Sequence, residues 1–268
     1  VVYMAEFGGY DPIMPVLMPD ADLDYVLLSD WPHRAPRPWR NQRTDIPISG
    51  LSDRMRNRWC KLHATLLFPD HDVSVYVDAH LQVTGDLRSL VDGFLRSGRP
   101  VGVVPHPKSL SVADEVRRSV RSGRLTCDEH RDRWARQQER HVAAGFPDDL
   151  GVFAGGIVLR DHRDNSTPRL ESAWWDELVD GVPRDQVALP FALWQTRIAP
   201  YRIPLDWSFA PYFRHWDHLP STQRYKRLVR WFDARRGARP SYRWIVRLLT
   251  PRASLRAART LRASTEVS

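Results

Sequence analysis

Five short apolar runs, at 1–7, 25–29, 73–78, 101–105 and 153–159, alternate with stretches of helical spacing. That alternation predicts an α/β domain whose sheet is mixed or mostly parallel. Between the second and third runs, Leu51, Met55, Trp59, Leu62 and Leu66 recur every three or four residues and define one apolar helix face. Arg54, Arg58 and Lys61 lie on its flank. Leu87, Leu90, Val91 and Phe94 predict a helix after the Gly85-Asp86 turn, whereas 128–142 reads as a long, charged and therefore exposed helix. The four prolines between Trp31 and Pro47 predict a loop beside the second strand, placed to cover a ligand. Near the end, Tyr225, Leu228, Val229 and Phe232, then Tyr242, Ile245, Val246 and Leu249, mark two amphipathic helices with arginine on their other faces.

At 268 residues and 42% apolar content the chain can bury a full core, expected as a body over 1–220 and a basic helical tail over 221–268. No run approaches the ~18 apolar residues of a membrane span, and no basic-then-apolar leader opens the chain. The expectation is a cytoplasmic protein, although a chain trimmed of its leader would also open on a strand. Cys60 and Cys127 form neither a disulfide framework nor a metal-binding spacing. The net charge of +8 is uneven. From Arg224 onward 13 Lys or Arg face two acids, so the tail carries +11 and the rest −3. Nucleic-acid binding throughout the fold is thereby disfavoured, and the tail over 224–262 either meets an anionic membrane surface, leaving the protein peripheral at the inner face of a membrane, or packs its apolar stripes on the body or on another subunit.

The strand from Val73 stops on an acid, in Val77-Asp78-Ala79-His80. A carboxylate at a buried strand end needs a partner, and ligands of open α/β sheets sit at the carboxyl ends of strands. Asp78 is therefore either a turn cap or a ligand contact. Gly8-Gly9-Tyr10-Asp11 and Asp30 follow the first two strands, where glycines permit close backbone approach, Tyr10 offers a stacking ring and the acids accept hydrogen bonds. An ordinary turn has the same composition. Gly155 and Gly156 mark either a sugar-facing wall or a bulge, and Arg184-Asp185-Gln186 open a helix where an acid also serves as a cap.

The order of these parts resembles the TOD/MUCI glycosyltransferase-like family and, more broadly, GT-A glycosyltransferases that use nucleotide sugars. Carrying the likeness are Gly8-Gly9-Tyr10-Asp11, Tyr25 to Asp30, Arg54 to Lys61, Val77-Asp78, His106, Glu115, Gln138, the run Ile157 to His162, Trp175-Asp176-Glu177 and Arg184-Asp185-Gln186. The resemblance implies a GT-A-like fold and a divalent metal, Mn²⁺ or Mg²⁺, held by Asp78 and His80, with His215 or His218 completing the shell. It implies that Gly8, Gly9, Tyr10, Asp11, Asp30, Arg54, Arg58 and Lys61 bind the donor, and that His106, Gly155, Gly156 and Trp175 face the sugar or acceptor. Arg184, Asp185 and Gln186 become the catalytic group, with Asp185 contacting the transferred sugar or acting as base.

The function expected is transfer of a sugar from a nucleotide diphosphate to a glycan or lipid-linked acceptor, in bacterial envelope or surface glycan synthesis. A ceramidase-like lipid amide hydrolase and a non-catalytic sugar- or membrane-binding relative are the alternatives. His80, standing where GT-A enzymes commonly have a second acid, favours the last.

Overall fold

A computed structural model describes residues 1–30, 35–206, 209–217, 220–235 and 240–249, except for the side chains of 127–129, 220–221, 240 and 243. In chain order its elements are β1 (Val2–Glu6), β2 (Tyr25–Ser29), β3 (Arg40–Gln42), α1 (Asp53–Leu62), α2 (Ala64–Leu67), β4 (Val73–Val77), β5 (Leu81–Val83) and α3 (Leu87–Arg96). There follow β6 (Val101–Pro105), α4 (Val112–Arg121), α5 (Cys127–Ala144), β7 (Phe153–Asp161), α6 (Ser166–Asp180) and α7 (Asp185–Thr196). The last are β8 (Tyr201–Arg202), β9 (Phe213–His215), α8 (Pro220–Arg235) and α9 (Pro240–Leu249). They divide into two compact units. Unit 1 holds Val1–Lys61, Val75–Arg96 and Pro204–Ser268, and unit 2 holds Leu62–Ser74 and Ser97–Ile203.

In unit 1, β1 pairs in parallel with β2 and with β4, and β2 pairs in parallel with β3. Val2, Tyr3, Met4 and Ala5 are buried without alternation, as expected of a parallel strand covered on both faces. Unit 2 combines the antiparallel pair β6·β7 with the parallel pair β6·β8. The arrangement is the mixed, mostly parallel α/β class expected from the sequence.

Several elements depart from the sequence reading. The helix expected over Leu51–Leu66 divides at His63 into α1 and α2; Trp59 and Leu62 are buried as the periodicity requires, but Leu66 is 63% exposed. The proline-rich loop contains β3, whose polar residues carry no strand signal. Backbone pairing to β2 makes it a strand, and Trp39 just before it is buried and donates Nε1–H to Met14 O at 3.1 Å. The charged helix is α5, and its exposed reading fails on one face: His130, Gln137 and His141 are buried. His141 Nε2 meets Glu177 Oε1 at 2.8 Å, and Gln137 donates to Glu177 while accepting Val182 N–H at 2.9 Å. A Cβ on Gly181 would fall 2.3 Å from the Gln137 amide, so a larger residue there would have to displace that amide from Glu177 and the Val182 N–H.

Candidate active site

Asp78 follows β4 directly, and a hydroxyl and an ammonium partner it. Tyr76 lies two residues earlier, hence on the same strand face, and donates its hydroxyl to Asp78 Oδ1 at 2.8 Å. Asn57 and Lys61 lie one helical turn apart on α1 and converge on the same place. Asn57 Oδ1 is 3.3 Å from the Tyr76 hydroxyl, its amide donates to Ala5 O, and Lys61 Nζ stands 4.0 Å from Asp78 Oδ1. The Lys61 ammonium lies 5.2 Å from the centre of the Tyr76 ring and is almost wholly buried, whereas the Asp78 side chain keeps 27% exposure. The carboxylate is thus anchored from behind and open in front. Asn57 and Tyr76 were not singled out from the sequence, although strand alternation and the four-residue helix spacing would have paired each with its neighbour.

The adjacent end of β1 turns through Gly8 and Gly9, at φ of 74° and 69°. At φ of 74° the Gly8 backbone favours glycine, and a Cβ there would also push the Asp53 carboxylate aside. Tyr10 is 75% exposed. Asp11 turns inward, its Oδ1 accepting from the buried Lys226 at 2.8 Å and from Gln223 at 3.0 Å. Glu6, another residue the sequence reading passed over, sits buried at the end of β1. Burial raises its pKa, against the backbone N–H groups of Asp11 and Tyr10 that lower it. Asp30 is held by Arg56 at 2.6 Å, and Arg56 also reaches Asp53 and lies 4.2 Å from the centre of the Phe7 ring. Of the flank predicted to face the donor, Arg54 is exposed and Arg58 buried.

His80 and His215 are brought together because β5 and β9 pair antiparallel with Leu81 opposite His215. Their rings meet edge to face with centroids 5.0 Å apart. His218 lies outside the described residues. Among the described residues no three or more His, Cys, Asp or Glu side chains converge as a metal site. These residues therefore do not by themselves fit a complete metal shell, and the nearby cation shown for Asp78 is the Lys61 ammonium.

Unit 2 holds the second cluster. Arg184 precedes α7 and donates to Glu115 Oε1 at 2.9 Å and to Gln186. Glu115, 2% exposed, also accepts from Ser109 at 2.8 Å and Ser119 at 3.1 Å. Burial alone would raise its pKa, but the bonds from Arg184 and Ser109 prevail and lower it. His106 Nε2 is 3.9 Å from Glu115, while Nδ1 accepts the N–H groups of Lys108 and Ser109, so the neutral ring carries its proton on Nε2. Burial lowers the His106 pKa, with Glu115 opposing. Asp185 is buried at the start of α7, its carbonyl accepting Trp174 Nε1–H at 3.0 Å. Arg184 Nε is buried and has no hydrogen-bond partner among the described residues.

Gly155 and Gly156 lie in a bulge of β7, since Val103 pairs with Val158 but Val104 with Ala154. Trp175 is half-buried and meets His63 edge to face with centroids 5.4 Å apart.

Among the solved structures that resemble the chain are three glycosyltransferases. Mouse xyloside xylosyltransferase 1 in its apo form is 11% identical with a TM-score of 0.44, over 76% of this chain and 84% of that one. The galactosyltransferase LgtC with donor and acceptor sugar analogs is 14% identical with a TM-score of 0.41, over 72% and 69%. The bifunctional glycosyltransferase WbbM in its apo form is 13% identical with a TM-score of 0.40, over 75% and 38%. No curated protein matches in sequence. The family model of the TOD1/MUCI70 glycosyltransferase-like domain matches residues 50–206, more than half of the chain, and the protein belongs to that family.

Proposed function

We propose that the protein transfers a sugar from a nucleoside-diphosphate donor to a hydroxyl of a glycan or lipid-linked acceptor. The observation that carries this reading is the Asp78 corner of unit 1. A carboxylate oriented by Tyr76 and Lys61 keeps an open side at a parallel strand end, beside the strand that leads into Gly8, Gly9 and the exposed Tyr10. Backbone at the two glycines can approach a phosphate or ribose, and the Tyr10 ring can stack on a base. A departing diphosphate needs its developing charge neutralised, which a bound Mn²⁺ or Mg²⁺ supplies in such enzymes. In unit 1 the positive charge that stands beside Asp78 is the Lys61 ammonium, 4.0 Å away.

In unit 2, Asp185 is assigned to the transferred sugar or to the acceptor hydroxyl as base. Gln186 is oriented by Arg184, and the buried Arg184 Nε–H has an open bond to give to a sugar oxygen. Calorimetric titration with a panel of nucleotide sugars, with and without Mn²⁺, tests the reading. One donor should bind, and Asp78→Asn should lower its turnover by about 100-fold, or about 2.7 kcal/mol of transition-state stabilisation. Failure of every donor to bind overturns the reading. Unchanged donor affinity and turnover in Asp78→Asn removes that residue from its role.

A further inference from the structure

The apolar stripes of α8 and α9 lie inside unit 1. Val229 and Val246 are buried with Met14 and Trp216, and Tyr225, Phe232 and Leu249 pack against them. Lys226 is buried on Asp11, and Asp233 is buried within 3.4 Å of the Arg37 N–H that it accepts. A second apolar set remains outside. Leu228, Trp231, Trp244 and Leu248 are 48%, 45%, 68% and 71% exposed. Leu228 and Trp231 are three residues apart on α8, and Trp244 and Leu248 four apart on α9, so each pair shares a helix face. The two helices are tied together by the Tyr225 hydroxyl donating to Leu249 O and by the Trp231 and Tyr242 rings, 6.0 Å apart.

The exposed charged side chains of α8 and α9 have one sign. Arg224, Arg227, Arg235 and Arg247 are exposed, and the only acid in either helix is the buried Asp233. Arg235 lies 4.1 Å from the centre of the Trp231 ring. Beyond Leu249 the sequence adds four more arginines against one glutamate.

We propose that this face of α8 and α9 docks on an anionic bilayer. Trp231, Trp244, Leu228 and Leu248 enter the boundary between headgroups and acyl chains, and the arginines meet the lipid phosphates. Tryptophan suits that boundary because its ring is apolar and its N–H polar. A second copy of the chain is disfavoured as the occupant, since it would set arginine against arginine. Nucleic acid satisfies the charge and the tryptophans but leaves Leu228 and Leu248 against polar backbone. No described helix is long and apolar enough to cross a membrane, so the contact lies along the surface.

Co-sedimentation of the full chain with vesicles tests this without any donor sugar, and so is independent of the transfer reaction. Binding is expected on vesicles containing about one-third phosphatidylglycerol and not on pure phosphatidylcholine, weakening with salt. Trp231→Ser with Trp244→Ser, and separately Leu228→Ser with Leu248→Ser, should each weaken binding at least about tenfold, the leucine pair without changing the melting temperature. Arg227→Gln with Arg247→Gln should weaken it about fivefold per residue. Equal binding to neutral vesicles, full binding after loss of the four apolar side chains, or preference for a polyuridine oligonucleotide over vesicles overturns the proposal.

Discussion

Asp78 in unit 1 and Glu115 in unit 2 are both carboxylates facing a basic side chain, yet their surroundings differ. Glu115 takes hydrogen bonds from Arg184, Ser109 and Ser119 and is 2% exposed, so its oxygens are saturated by the protein. Asp78 takes one bond, from Tyr76, and has Lys61 at 4.0 Å, with the rest of its charge turned to solvent. A saturated carboxylate fixes the group it pairs with. A carboxylate supported from one side is available to a ligand.

Breaking the saturated pair should give the largest effect. Glu115→Ala leaves the Arg184 guanidinium buried without its counter-charge, and should lower unfolding stability by about 3–5 kcal/mol, read by denaturant titration. Asp78→Asn should do the reverse, changing stability by less than about 1 kcal/mol while donor turnover falls as stated above. If the two variants exchange these signatures, the contrast between a structural and a ligand-facing carboxylate collapses.

The pH response sharpens the same contrast. Because the folded-state pKa of Glu115 is lowered, its contribution to stability is present above the ordinary glutamate value of 4.5 and is lost as pH falls through the depressed one. Wild type should therefore exceed Glu115→Gln in melting temperature at pH 7, with the gap narrowing as pH falls below 4.5. A gap that persists unchanged at pH 3 would assign the stabilisation to shape rather than charge. The smallest effect expected is that of Tyr76→Phe. Losing one hydrogen bond to Asp78 should cost about 1 kcal/mol and loosen donor binding by less than about tenfold, measured by calorimetry.

The five apolar strands were legible because β1, β2, β4, β6 and β7 bury continuous apolar side chains, a signal carried by each residue alone. β3, β5, β8 and β9 were not, being two or three residues long and strands only through the backbone opposite them. The same limit applies to α5. Its inward face is polar, and the burial of Gln137 and His141 makes sense only once Glu177 and the Val182 N–H are beside them.

The tail shows the limit from the other side. Periodicity identified both helices and their arginine faces, but not that Tyr225, Val229 and Val246 would pack into unit 1 while Trp231 and Trp244 stayed outside. Helical spacing gives relative angles on one cylinder, whereas what that cylinder meets is set by the fold.

By itself, the sequence determined the α/β class, the family and the strand end on which Asp78 stands, because hydrophobic period and motif order are local properties of the chain. Only the tertiary structure decided that Asp11 faces Lys226 from α8, that Asp78 is backed by Tyr76 and Lys61, and that Glu115 holds Arg184. Each of these last two ion pairs joins residues 17 and 69 positions apart, and the Asp11 pair spans 215. Whether a buried charge is stable depends on which opposite charge or hydrogen-bond donor the fold brings within a few ångströms, a quantity no local pattern encodes.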